Sequence, residues 1–238
     1  TGAGKGVLAS HIHHLSSRRD GPFLTLNCGA LPPSLLESEL FGFEKGAFSG
    51  ANARKPGLLE LANGGTLFLD EINSTSLDAQ TRLLQFIQDK KLMRLGGVKS
   101  ISVDVRLILA ANRPLKDEVA AGRFRQDLYF RVQVFPIPVP PLRERREDIS
   151  GLAEYFLARH GRALNPSVNG ITPEALERLL KYDWPGNVRE LEGVIQRGLV
   201  LATGDCISLK ELPAELRPVA VNPNNIPWPM GATLEEME

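Results

Sequence analysis

The stretch Gly64-Gly65-Thr66-Leu67-Phe68-Leu69-Asp70-Glu71-Ile72 restricts the fold of this chain more than any other. Leu67, Phe68 and Leu69 form a short apolar run with glycines before it and acids after it. A strand covered on both faces of a parallel sheet has this pattern. In an open α/β sheet, ligands bind outside the carboxyl ends of the strands, and two acids stand at that end here. Adjacent carboxylates there suit metal-bound phosphate chemistry: one to hold a divalent ion through its water shell, the other to polarise an attacking water. The plainer alternative is a strand that ends in two solvated acids.

The first residues favour the chemical alternative. Thr1-Gly2-Ala3-Gly4-Lys5-Gly6 runs into Val7 to Leu15, where Leu8, Ile12 and Leu15 recur at helical spacing. A glycine-rich turn that opens a helix presents backbone N–H groups and the helix N-terminus to phosphate, with Lys5 reaching the terminal phosphates. This resembles the end of a Walker A loop, and an acid pair on a buried strand about sixty residues later completes a P-loop NTPase pattern. The full loop calls for a further glycine and a strand upstream, so the expectation is that the chain starts within its phosphate loop. Position 6 carries Gly where Ser or Thr is usual for Mg²⁺.

Composition narrows the partners. The 238 residues suffice for one large α/β domain and a smaller one. Lys plus Arg number 28 and Asp plus Glu 28, so no basic excess marks a nucleic-acid surface. No apolar run reaches membrane-spanning length and no signal peptide is visible, which with unpaired Cys28 and Cys206 reads as a cytoplasmic protein with buried thiols. Of His11, His13 and His14, only His11 and His14 share a helix face, and no Cys or carboxylate joins them. An exposed helix face is expected there rather than a metal cluster.

Between two segments with helical and strand character lies Phe43-Glu44-Lys45-Gly46-Ala47-Phe48-Ser49-Gly50-Ala51. It has no period, and Phe48 stands among small residues that cannot shield a ring. Either Phe48 tucks into the core or the loop offers an aromatic anchor to a partner. Gly46-Ala47-Phe48-Ser49-Gly50-Ala51 resembles the GAFTGA motif of sigma-54-dependent transcription activators, the bacterial enhancer-binding proteins of the AAA+ family. Glu37 to Gly42 is in the same style, and the resemblance extends from Thr1 to about Pro218. Ser49 replaces the usual Thr.

The remaining segments are read in order. Pro22 to Asn27 is a strand ending in a polar residue, and Ser34 to Leu40 a short helix. Asp78 to Lys90 is a helix with Leu83, Leu84 and Ile87 on one side. Leu92 to Leu95 and Ile101 to Val105 flank a Gly96-Gly97 turn as a hairpin. Arg106 to Asn112 is a second buried strand. Prolines at 136, 138, 140 and 141 end the sheet domain. Helices are expected from Ile149 to His160, capped by Asp148 and stopped at Gly161; from Thr172-Pro173 to Tyr182; and from Asn187 to Gly204, with Val188, Leu191, Ile195 and Leu199 inward. Arg189 in the first turn of the last helix opposes the helix dipole at a cost of about 0.3–1 kcal/mol, a local rule broken as at functional positions. From Pro218 the composition reads as a linker, with a further helix starting near Thr233.

The resemblance implies a three-layer α/β AAA+ domain with a parallel central sheet over 1–141, a small all-helical lid over 142–217, and a linker over 218–238. It implies a ring of subunits, a hexamer, with ATP and Mg²⁺ bound between neighbours. Gly2, Ala3, Gly4, Lys5 and Gly6 would cradle phosphates, with Asp70 as metal ligand and Glu71 as base. Asn27 would hold Glu71 in check, and Asn112 would be a first sensor near the γ-phosphate, preceded by Ala111 where Thr is usual. Arg125 and Arg131, six apart, would be fingers reaching the neighbour's nucleotide, and Arg189 the lid arginine. The Phe48 loop, Gly46 to Ala51, would grip sigma-54 RNA polymerase, and DNA would be met only through a helix-turn-helix domain outside this chain. The expected activity is ATP hydrolysis that remodels the polymerase for open promoter complex formation. The alternative is a nucleotide-gated oligomeric scaffold with weak turnover.

Overall fold

The computed structural model describes residues 2–217; Thr1 and the expected linker and helix start over 218–238 lie outside them. The chain divides into two compact units with the break after Val139. The first unit holds, in order, α1 (Lys5–His14), β1 (Phe23–Asn27), α2 (Pro33–Phe41), β2 (Gly42–Phe43), β3 (Lys55–Pro56), α3 (Leu58–Leu61), β4 (Thr66–Asp70), α4 (Leu77–Asp89), β5 (Lys91–Met93), β6 (Ser100–Ser102), β7 (Arg106–Leu109), α5 (Leu115–Ala120) and α6 (Gln126–Val132).

Strands β1, β4 and β7 form a parallel sheet in that order. The middle strand β4 carries the apolar run, and Thr66, Leu67, Phe68 and Leu69 are at most 4% exposed. Burial on both faces explains why the run does not alternate. Register sets Asn27 beside Asp70, so the polar ends of β1 and β4 finish together. β7 stops at Leu109, short of the expected Asn112. The chain still follows β4, because Ala110 N–H donates to Leu69 O and Ile72 N–H to Ala110 O. The ladder fades where β4 itself turns aside at Glu71. Among the described residues no strand pairs with the outer edge of β7. A cavity of about 660 Å³ opens along that edge, walled by Ile87, Leu107, Leu109, Val132, Phe135 and Ile137.

Helix α1 departs from the stripe expected of it. Ala9 and His13 are buried, whereas Leu15 is 76% exposed. His13, expected on an exposed face, is 2% exposed and hydrogen-bonds Thr66 Oγ1 at 3.0 Å through Nδ1. Its ring lies 5.1 Å from that of Phe23. A buried imidazole is stable there because β1 and β4 supply a ring and a hydroxyl. In α4, Leu83 and Phe86 are buried, with Leu84 and Ile87 packed only partly.

The second unit holds α7 (Asp148–Leu164), β8 (Gly170–Ile171), α8 (Pro173–Lys181), α9 (Asn187–Leu201) and β9 (Cys206–Ile207). Leu191, Ile195 and Leu199 of α9 join Ile149, Phe156 and Trp184 in its core. Thr172 caps α8 by accepting from Ala175 N–H. α7 does not stop at Gly161, which is buried inside the helix; it runs on to Leu164. Packing of α7 on α9 outweighs the roughly 1 kcal/mol cost of a helical glycine. The end comes at Asn165, whose Nδ2 donates to Leu199 O and Ala202 O. β8 and β9 pair in parallel, too briefly to leave a sequence pattern, so the expected helical lid includes a small strand pair.

Candidate nucleotide site and the aromatic loop

The expected phosphate-binding residues lie at the start of α1. Gly4 is its N-cap at φ 95°, and Gly2 lies at φ 74°, left-handed values that side chains disfavour. Leu8 N–H makes the first intrahelical bond, to Gly4 O, so the amides of Lys5, Gly6 and Val7 are left for a ligand. Lys5 makes no ion pair among the described residues. α1 packs on β4, which brings these amides towards the strand's acid end.

At that end Glu71 adopts φ 55°, ψ 43°. A non-glycine residue there costs about 1–3 kcal/mol and such strain clusters at functional sites. Its N–H donates to Asp70 Oδ1 at 2.9 Å, which holds the Asp70 carboxylate and leaves Oδ2 open. The Glu71 carboxylate lies against Gly29, where a Cβ would collide with it. Asn27, expected to hold Glu71 in check, makes no direct hydrogen bond to it in this structure. Its Oδ1 accepts from Gly29 N–H at 2.8 Å, an Asx turn that occupies the carboxamide oxygen. The two side chains border the same glycine instead.

Cys28 follows, 1% exposed, with its N–H on Asp70 O. Burial, then the charges of Asp70 and Glu71, push its thiol up to about 12. Cys206 is only half-buried, not the buried thiol expected. In native protein at about pH 8, iodoacetamide should therefore leave Cys28 unmodified over times that label it fully after denaturation. Peptide mass spectrometry reads this, and rapid native labelling would contradict the burial. The negative field that raises Cys28 also suits a cation.

Asn112 adds an unsatisfied acceptor. Its N–H donates to Asn73 Oδ1, but its own Oδ1 is buried with no partner among the described residues. Such an atom costs about 1–3 kcal/mol, which a donor entering the site would recover. A helix start with unpaired amides and an open Asp70 oxygen fit a metal-bound nucleotide, and the Asn112 acceptor fits a water beside it.

The arginines separate by their partners. Arg123 is structural: it bonds Glu118 at 2.7 and 3.0 Å, and Glu118 is 3% exposed. Arg125 precedes α6 as its N-cap, and its guanidinium bonds Asp127 and Thr81. Arg131 is exposed in the last turn of α6, with no hydrogen bond or ion pair among the described residues. Six residues of helix place them about 9 Å apart along the axis. Arg189 lies exposed in the second unit, in the first turn of α9.

The aromatic loop is neither core nor free. Phe48 is 44% exposed, and its ring meets Phe43 edge-on with centroids 5.0 Å apart. Gly46 and Gly50 take φ 84° and 104°, and Gly46 N–H closes the loop on Ala51 O. Ala51, expected among the contact residues, is 4% exposed and anchors the loop. Gly46 to Gly50 remain as its accessible tip, with Ala47 half-buried. The loop's root is zipped to the β5–β6 hairpin: Glu44 N–H donates to Leu95 O, and Leu95 N–H to Gly42 O. Arg94, its side chain only 10% exposed, binds Glu60 through two nitrogens at 2.8 and 2.6 Å and Glu44 at 2.6 Å. These hydrogen bonds push the guanidinium further up. Arg94 and Glu60 were not picked out from the sequence, because their partnership spans 34 residues.

Comparison with known proteins agrees with this layout. The sigma-54 interaction domain model matches residues 1–138 and the AAA+ ATPase lid domain model residues 143–226. The transcriptional regulatory protein ZraR of Salmonella typhimurium is 55% identical over 213 residues, which cover 90% of this chain and 48% of ZraR. The response regulator protein FleR of Pseudomonas aeruginosa is 49% identical over 212 residues, 89% of this chain and 45% of FleR. The crystal structure of NtrX from Brucella abortus in complex with ADP superposes with a TM-score of 0.84 at 36% identity, covering 99% of this chain and 53% of NtrX. The chain spans about half the length of the curated relatives it matches. It belongs to the sigma-54 interaction domain family, the AAA+ ATPase domain of sigma-54-dependent transcription activators, and carries the lid that follows that domain.

Proposed function

We propose that this chain is the ATP-hydrolysing central part of a cytoplasmic bacterial transcription activator that remodels sigma-54 RNA polymerase, allowing the open promoter complex to form. One observation carries the reading: an aromatic loop with a half-exposed ring sits in the same compact unit as a strained Glu71 and a glycine-capped helix start with unpaired amides. NtrX, similar over this region, has been solved with ADP and with ATP, which supports nucleotide binding here.

Lys5 and the amides of Gly2 to Gly6 would hold the phosphates. Asp70 Oδ2 would face Mg²⁺, which when bound neutralises charge on the phosphate oxygens. Glu71 would take a proton from the attacking water, Asn27 would restrain it across Gly29, and Asn112 Oδ1 would accept from a bound water. Arg125 and Arg131 would reach the nucleotide of a neighbour in a hexameric ring, and Arg189 would act from the lid. The open edge of β7 would seat the strand leading into the phosphate loop. DNA contact would come through a domain outside this chain. Among the described residues no helix is long and apolar enough to cross a membrane.

The test is Phe48→Ala in the full-length protein. Trapping of sigma-54 with ADP–aluminium fluoride, read by co-migration on a native gel, should be lost, while ATP turnover without the partner stays within a few-fold. Phe48→Tyr keeps the ring and should trap better. Full trapping by Phe48→Ala would remove the loop from the coupling role. A stability loss of roughly 3–5 kcal/mol, that of an emptied Phe site, would make the ring core.

A further inference from the structure

Asp127 stands in the first turn of α6, two residues after Arg125. Its Oδ1 and Oδ2 accept from Arg125 Nε at 3.0 Å and Nη2 at 2.6 Å, a fork-to-fork pair. Arg125 Nη1 donates to Thr81 Oγ1 of α4 at 3.2 Å. The base of the side chain is fixed too. Arg125 N–H donates to Oε1 of fully buried Gln80 at 2.8 Å, and Gln80 Nε2 donates to Thr75 O and Arg123 O. The carboxylate is itself held, accepting from Leu128 N–H at 2.7 Å at a helix start that favours an anion. Both charged side chains are still exposed, 38% for Arg125 and 47% for Asp127. They border an open depression of about 480 Å³ with Gln126 and Phe130.

A surface ion pair contributes little to stability, so a clamp this complete points elsewhere. A guanidinium has five N–H donors. Asp127 and Thr81 take three, and two remain, on Nη1 and Nη2. We infer that Asp127 is a positioning residue: it fixes the Arg125 guanidinium so that its remaining N–H groups are set for phosphate oxygens presented by a neighbouring copy. The inference rests on the ring ATPase reading above. It also separates the two arginines, since among the described residues Arg131 has no such clamp.

The experiment is steady-state ATP hydrolysis by the assembled full-length protein, for Asp127→Asn, Asp127→Glu, Arg125→Ala and the Asp127→Asn/Arg125→Ala double variant. Asp127→Asn should lower kcat about ten- to a hundredfold, the scale of a small misplacement, with KM for ATP little changed. The double variant should be no slower than Arg125→Ala alone, because both act through one group. Losses that multiply would make Asp127 merely structural and overturn the inference. So would a wild-type or faster Asp127→Asn beside an impaired Arg125→Ala, which would make the pair dispensable or a latch. If Asp127→Asn does not assemble, Asp127→Glu decides: it keeps the charge but shifts the guanidinium, so a lowered kcat supports positioning and an unchanged one refutes it. A normal rate in Arg125→Ala would instead sink the finger assignment, and this inference with it.

Discussion

Glu71→Gln should bind ATP as the parent does and hydrolyse it about 10²–10⁴ times more slowly, the usual contribution of a positioned general base. The amide keeps the shape and the left-handed turn at φ 55°, and it loses only the proton-accepting oxygen. The Asp70 Oδ1 contact is made to the backbone N–H of residue 71, so the exchange does not disturb it. Stopped-flow nucleotide binding and steady-state phosphate release measure the two halves separately. Turnover near the parent rate would end the assignment of Glu71 as base. Loss of binding would mean that the acid pair holds the nucleotide and does not act on water.

The second large effect belongs to the arginines. A trans arginine in phosphoryl transfer is worth roughly 10³–10⁵ in rate, and Arg125→Ala should fall in that range while single-subunit nucleotide affinity stays close to the parent's. Arg131→Ala should also slow turnover. Mixing decides whether the residues act between subunits. Lys5→Ala subunits are inactive but carry intact arginines, so doping them into an Arg131→Ala preparation should restore activity where mixed rings form. No recovery at any ratio, with mixed rings demonstrated, would place the arginines in their own subunit's site.

Much of this site could be read from local pattern. Leu67 to Glu71 announces itself because burial on both faces and two terminal acids are properties of adjacent residues. The loop from Gly46 to Gly50 is equally local. Contacts that depend on distant residues were not legible. His13 looks polar until Thr66, 53 residues on, supplies its partner. Arg94 looks like one more charge beside a turn until Glu44 and Glu60 close on it. Gly161 reads as a helix stop, yet α9 packs alongside and the helix continues. Asn27 is an intermediate case: Asn followed two residues later by Gly is a local turn signal, and that turn takes up its side-chain oxygen. Asp127 was likewise within reach, an acid two residues from a candidate finger.

The Arg94 clamp has a mechanical consequence. One guanidinium grips Glu44 at the root of the aromatic loop and Glu60 at the end of α3, while Leu95 ties the hairpin to the same root by two backbone bonds. A root built this way has little slack. A displacement delivered to the hairpin would then reach the tip more as rotation of a stiff arm than as bending near its base. The glycines that flank Phe48, at φ 84° and 104°, put the most adaptable backbone at the tip. The working stroke would be set by the arm's length and the grip by its soft end, as in an oar whose shaft is rigid and whose blade yields.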